Sequence, residues 1–217
     1  MKTLVLTSSP RQTGNSTLLA GEVLAGLQEA GHDATHRDLN AVIDGFLKDC
    51  KACRCADGQC GIRDGYHDLF FNEFLPADGL ILATPIYWYG MSAQLKAFFD
   101  RMFCYVAASY PGSPRVLSEI QGKRIGLVLS SEETFPTVSH GIVHQAQEFS
   151  RYTNSTFAGV VHGYGNARGD ICRDPSAPMK AARQFGKTFY KAHATDFKIG
   201  TPRAGKMWAD PISTSAA

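Results

Sequence analysis

The chain has 217 residues, 44% apolar and 19% charged, with 22 Lys and Arg set against 20 Asp and Glu for a net charge of +2. That composition supplies one sizeable core and excludes a disordered chain. The near-neutral balance excludes a general polyanion binder, which needs a concentrated basic surface. No apolar run nears the roughly 18 residues that span a bilayer. The first ten residues also lack the basic start and long apolar stretch of a secretory signal. A cytoplasmic protein is expected, with no membrane or nucleic-acid partner.

Residues 3–7 form a short apolar run ending in a polar loop, the pattern of a strand buried on both faces. Leu18, Leu19, Val23, Leu24 and Leu27 follow at helical spacing, and Gly31 supplies a stop. Residues 33–39 suit a polar edge strand, and residues 66–75 a short helix ended by Pro76. Residues 79–87 are the next buried strand, followed by a helix over 92–103 with Leu95, Phe98, Phe99 and Met102 inward. A strand over 123–130, a helix over 138–152, a strand over 156–162 and a helix over 181–193 complete the pattern. Apolar strands alternating with helices predict an α/β fold, a doubly wound parallel sheet of five strands in the flavodoxin-like order 2-1-3-4-5. The expected boundaries are a domain over 1–194, carrying a Cys-rich loop at 50–60, and a non-periodic C-terminal arm over 195–217.

In such a sheet ligands lie at the carboxyl ends of the strands. The loop after the first strand, Ser8-Ser-Pro-Arg-Gln-Thr-Gly-Asn-Ser-Thr17, is rich in hydroxyls and ends at a helix N-terminus. Unpaired N–H groups and the helix dipole there make an anion site, and Arg11 can add a charged donor. The loop is neither a P-loop nor a G-x-G-x-x-G turn, so a single terminal phosphate suits it better than a pyrophosphate. An ordinary capped helix start would use the same residue types. After the third strand, Tyr87, Trp88 and Tyr89 cannot all point inward, since neighbouring side chains leave a strand on opposite faces. They can wall a planar ring, or pack under the following helix or at a subunit contact, and Gly90 would let backbone N–H groups approach a ring edge.

Ser-Pro-Arg-x-x-x-Asn-Ser after the first strand, with Ala83-Thr-Pro-Ile-Tyr87 leading to Met91-Ser-Ala-Gln-Leu-Lys-Ala-Phe-Phe-Asp-Arg101, resembles the flavodoxin-like NAD(P)H-dependent FMN reductases. The intervening cysteines are similar to the iron–sulfur flavoprotein branch. The resemblance runs from about Lys2 to Phe103 and weakly on to Asp170, leaving 104–120 and the tail uncovered. It implies that Ser9, Arg11, Asn15, Ser16 and Thr17 hold the FMN phosphate. Pro85, Ile86, Tyr87, Trp88, Tyr89 and Gly90 would border the ring and ribityl chain, and Ser130 and Ser131 begin the loop approaching the ring's other side. Asp100 and Arg101 are expected in a structural ion pair. No catalytic residue is assigned, although Arg115, His140 and His144 could reach the substrate face and 104–120 could form a substrate lid.

Of six cysteines, Cys50, Cys53, Cys55 and Cys60 are clustered, while Cys104 and Cys172 stand apart. Four close thiolates on a turning loop suit an iron–sulfur cluster, with Lys51, Arg54 and Arg63 offsetting its charge. The similar branch has two residues between its second and third cysteines, where this chain has only Arg54. Zinc, a redox disulfide and a metal-free loop are the other readings. The expected function is an FMN-dependent oxidoreductase moving electrons between NAD(P)H, or a small organic substrate, and an acceptor. A non-catalytic flavodoxin-type carrier is the alternative, though such carriers tend to be strongly acidic. A homodimer or homotetramer is expected.

Overall fold

A computed structural model describes residues 1–199. Six strands form, in chain order, at Lys2–Thr7 (β1), Asp33–Asp38 (β2), Gly79–Tyr87 (β3), Gly90–Met91 (β4), Arg124–Ser131 (β5) and Thr156–Tyr164 (β6). β2, β1, β3, β5 and β6 lie side by side in that order, all parallel, and β4 turns back antiparallel on β3. The five-stranded order expected from the sequence is therefore present, with one short strand added.

Alternation along the strands sorts the core into two layers. Val5, Ile81, Ala83 and Val128 face one way, onto Leu19, Val23 and Leu27 of helix Asn15–Glu29 (α1) and onto Ala182 and Phe189. Leu4, Leu6, Leu80, Leu82, Leu127 and Leu129 face the other way. There they meet Phe70 and Phe74 of a wide helical turn (Leu69–Phe74), Leu95 and Phe98 of helix Ala93–Arg101 (α2), and Ile142 and Ala146. The last two lie on helix His140–Tyr152 (α4), which follows helix Ser113–Glu119 (α3) in the chain; helix Pro178–Thr188 (α5) packs against α1. A Cβ on Gly26 would meet the Arg183 carbonyl oxygen at 2.1 Å and one on Gly186 the Val23 oxygen at 2.2 Å, so the two backbones touch through reciprocal glycines.

Asp100 and Arg101 are both structural, but with different partners. Asp100 pairs with Lys96 on its own helix. Arg101 is buried, pairs with Asp64, donates to the Gly45 carbonyl at 3.3 Å and lies 4.3 Å over the Tyr66 ring. It pins the segment bearing the cysteines onto α2. Segment 104–120 is not a lid over the strand ends. Tyr105 is fully buried and stacks on Phe70 at 5.0 Å, Tyr110 packs edge-on against it at 5.2 Å, and Pro111 touches the cysteine loop at Gly58.

The expected arm begins tied to the sheet: Phe197 exchanges backbone hydrogen bonds of 2.8 and 2.9 Å with Phe157, and Thr195 Oγ1 donates to the Ala158 carbonyl at 3.0 Å. Residues 200–217 of that arm lie outside the described residues. Among the described residues, no helix is long and apolar enough to cross a membrane.

Candidate functional site

The carboxyl ends of β1, β3, β5 and β6 enclose a crevice of about 210 Å³. Ser9, Arg11, Gly14 and Asn15 line one part, Pro85, Ile86 and Tyr87 another, and residues 130–132 with Gly165 and Asn166 complete it. It adjoins a second cavity of about 190 Å³ between Ile86, Trp88, Tyr89 and residues 131–133. Ile86, Ser131 and Glu132 are shared, so the two hollows form one trough from the start of α1 to the aromatic turn.

At the α1 end the backbone is folded tightly around Ser9. Arg11 N–H donates to Ser9 Oγ at 3.1 Å, and a Cβ on Gly14 would lie only 2.4 Å from that oxygen, so a larger residue there would have to turn the Ser9 hydroxyl aside. The first-turn N–H groups of Asn15, Ser16 and Thr17 have no acceptor within the helix. Ser16 Oγ is buried and has no hydrogen-bond partner at all. A buried, orphaned hydroxyl beside free helix N–H groups is the signature of a site built for an anion. The Asn15 side chain instead clamps the loop after β6: Nδ2 donates to the carbonyls of Gly165 and Ala167 at 3.0 and 3.1 Å, and Oδ1 accepts from Gly169 N–H at 3.0 Å. Arg11 is exposed, reaching the Asn166 carbonyl at 3.5 Å.

At the other end, β3 and β4 form a hairpin with Trp88 and Tyr89 at its tip. Both have left-handed backbones, φ 48° and 61°, as a two-residue hairpin turn of the right twist demands. Within the chain itself a Cβ on Gly90 would meet only ordinary contacts. Thr84 Oγ1 roots the hairpin, accepting from Ser92 N–H at 3.0 Å and donating to the Pro85 carbonyl at 2.9 Å. Trp88 is 96% exposed and Tyr87 42%, so the aromatic faces are held at the surface rather than in the core. Tyr89 Oη donates to Glu133 at 3.2 Å, and that carboxylate raises its phenol pKa.

Between these ends, Ser131 Oγ donates to the Glu133 carbonyl at 2.7 Å and contacts His162 Nε2 at 2.8 Å. Its single proton goes to the carbonyl, so His162 must donate from Nε2. Burial lowers the His162 pKa, which keeps the imidazole neutral near pH 7. Glu132 lies in the loop the sequence placed on the ring's other side and lines both hollows, whereas Asn166 and the His162 side chain were given no role from the sequence. Arg115, paired with Glu119 at 2.7 Å, and the exposed His140 and His144 stay outside the trough's lining.

The trough fits FMN by its donor set. The orphaned Ser16 hydroxyl and first-turn N–H groups suit a terminal phosphate, the serines a polyol, and the aromatic turn a ring.

The chain leading from β2 towards the cysteine loop is tied to the loop after β1 by Asn40 Nδ2, which donates to the Ser9 carbonyl at 2.7 Å. Cys50 and Cys60 are buried, Cys53 and Cys55 half-buried, and all the cysteines are free thiols. Burial raises the Cys50 pKa. Among the described residues, no three His, Cys, Asp or Glu side chains are grouped to hold a metal ion. The surroundings nevertheless suit an anionic group: Arg54 Nε and Tyr105 Oη, both buried donors near the thiols, lack acceptors.

A family model described as the flavodoxin-like fold matches residues 1–186. An iron–sulfur flavoprotein of Methanocaldococcus jannaschii is 28% identical over 194 residues, covering 86% of this chain and 94% of that protein. An FMN-dependent NADH:quinone oxidoreductase of Burkholderia thailandensis is 29% identical over 164 residues, covering 64% of this chain and 81% of its own length. The solved structure of the Trp repressor binding protein from Bacillus subtilis superposes with a TM-score of 0.63 at 25% identity, covering 85% of this chain and 99% of that one. With its sheet order, its strand-end trough and a family match spanning most of its length, the chain belongs to the flavodoxin-like family that includes the FMN oxidoreductases and iron–sulfur flavoproteins.

Proposed function

We propose that this chain is an FMN-dependent oxidoreductase that takes electrons from NAD(P)H or a small organic donor and passes them to a small-molecule acceptor, with an iron–sulfur cluster at the cysteine loop as a second redox centre. The observation that carries the reading is the trough running from Ser9, Gly14 and Asn15 at the start of α1, next in the chain to the unpartnered Ser16 hydroxyl, to the exposed Trp88–Tyr89 turn. Bound FMN supplies one- and two-electron chemistry. The protein's part is to hold and orient it.

Ser9, Ser16, Thr17 and the start of α1 grip the phosphate, with Arg11 adding charge from the rim. Asn15 contributes its backbone N–H and, through its side chain, fixes the neighbouring loop. Pro85, Ile86 and Gly90 form the floor and edge, while Tyr87, Trp88 and Tyr89 offer ring faces. Ser130 and Ser131 close the opposite side. Ser131, its proton given to a carbonyl and one lone pair taken by His162, is left as an acceptor for an N–H or O–H group of the ligand. A homodimer or homotetramer belongs to the same reading, since the hairpin leaves three aromatics exposed beside the trough.

Anaerobically purified protein, with flavin, iron and sulfide quantified, tests the cofactors. Stopped-flow oxidation of NADH and NADPH tests the activity. The expected result is bound FMN, iron with matching sulfide, and oxidation faster than free FMN supports. A rate no greater than that of free FMN with either nucleotide identifies a flavodoxin-type carrier instead.

A further inference from the structure

We propose that Glu132 and Glu133 set the acceptor specificity of the trough, so that its aromatic end takes a planar ring carrying positive charge, or none, and turns away the same ring carrying negative charge. The inference rests on the oxidoreductase reading above and names the class of acceptor.

Two observations carry it. First, the hollow at the aromatic turn has walls of two kinds that act in the same sense. Trp88 and Tyr89 are exposed there and offer ring faces. Glu132 and Glu133 are the only charged side chains among the described residues that line it. The face of an aromatic ring is the negative pole of its quadrupole and draws cations, as a carboxylate does. An anionic ring therefore meets repulsion from both kinds of wall.

Second, both carboxylates are held at the trough by neutral donors, which fix their position and leave their charge uncancelled. Glu133 accepts from Tyr89 Oη at 3.2 Å, and Glu132 from Asn166 Nδ2 at 3.0 Å. Ser131 Oγ donates to the Glu133 carbonyl at 2.7 Å and meets His162 at 2.8 Å, tying the loop that carries both glutamates to β6. The raised phenol pKa of Tyr89 is the effect of Glu133 on a neighbour that would become an anion. The cation lining the trough is Arg11, which reaches the Asn166 carbonyl at 3.5 Å from the α1 end. A phosphate bound at that end takes up its charge and leaves the glutamates uncompensated. The trough thus runs from a cationic start to an anionic end.

The test follows reoxidation of photoreduced holoprotein in anaerobic stopped flow by two p-benzoquinones of the same ring, one bearing a trimethylammonium group and the other a sulfonate. Each quinone takes two electrons and two protons and becomes the hydroquinone, as the reduced flavin returns to its oxidised form. Wild type is compared with Glu132→Gln, Glu133→Gln and the double variant, with FMN content as the check on folding. A glutamine oxygen still accepts from Asn166 or Tyr89, so the substitutions remove charge and keep the hydrogen bonds. Any change they make in flavin reactivity cancels in the ratio of the two second-order rate constants. That cation-to-anion ratio is expected to fall at least about 10-fold in the double variant. In wild type it is expected to fall as ionic strength rises from about 0.01 to about 0.5 M. Without turnover, oxidised wild-type holoprotein is expected to bind the 1-methylnicotinamide cation more tightly than nicotinate, its anionic counterpart on the same ring. A ratio unmoved by salt or by the double substitution, or tighter binding of nicotinate, overturns the assignment and leaves the oxidoreductase reading standing. Folded protein that takes up no FMN, or bound reduced flavin that neither quinone oxidises, overturns both.

Discussion

Ser16 places a hydroxyl in the interior with nothing to bond to, a cost that only a ligand removes. The Ser16→Ala variant is therefore expected to be as stable as wild type, or more so, without FMN, yet to bind FMN about 10- to 100-fold more weakly. That factor corresponds to one charge-assisted bond of about 1.5–3 kcal/mol. Isothermal titration together with apo-protein melting checks both halves. Asp64 behaves in the opposite manner. Burial by itself would raise its carboxyl, but the Arg101 guanidinium and the N–H groups of Asp44 and Tyr66 outweigh this and lower its pKa. Its folded pKa being depressed, its contribution is present above the ordinary carboxylate range and is lost as pH falls through the folded value. Asp64→Asn is expected to cost about 3–5 kcal/mol at pH 7, because Arg101 is left buried and unpaired. The gap to wild type should narrow below about pH 4, which urea titrations across pH would show. The loop after β1 could be picked out from sequence as a candidate anion site because hydroxyls and a glycine precede a helix there. Neither Asp64 nor the inward turn of Asn15 could, since each depends on a partner 37 or 150 residues away.

The aromatic hairpin is the element where local geometry works against stability. Trp88 and Tyr89 both adopt left-handed backbones, which cost an L-residue about 1–2 kcal/mol. Trp88→Gly relieves that strain at some expense in unfolded-chain entropy. The variant should melt within a few degrees of wild type while losing ring stacking of about 0.5–1.5 kcal/mol, a roughly 2- to 10-fold weaker flavin or substrate affinity. Fluorescence titration and differential scanning fluorimetry measure the two effects. A sequence rule that assigns left-handed backbones to glycine misses this pair. The strands were legible because each is an apolar run, and the cysteine loop because its thiols are clustered. The role of 104–120 was not, because Tyr105, Tyr110 and Cys104 act through contacts made across the fold.

Across the molecule, the sheet order follows from apolar strands alternating with helices, and the order puts four strand ends together around one trough. The reciprocal contact of Gly26 and Gly186 that seats α1 on α5, and with it the start of α1, is a long-range fit that no local pattern announces. In the proposed function the fold brings a phosphate cradle and an aromatic wall, some seventy residues apart in the chain, to one trough. Titration of apo-protein with FMN and with riboflavin tests that claim most directly. One FMN per chain is expected, with riboflavin, which lacks the phosphate, bound at least about 100-fold more weakly. Equal affinity for the two, or no uptake of either by folded protein, would contradict it.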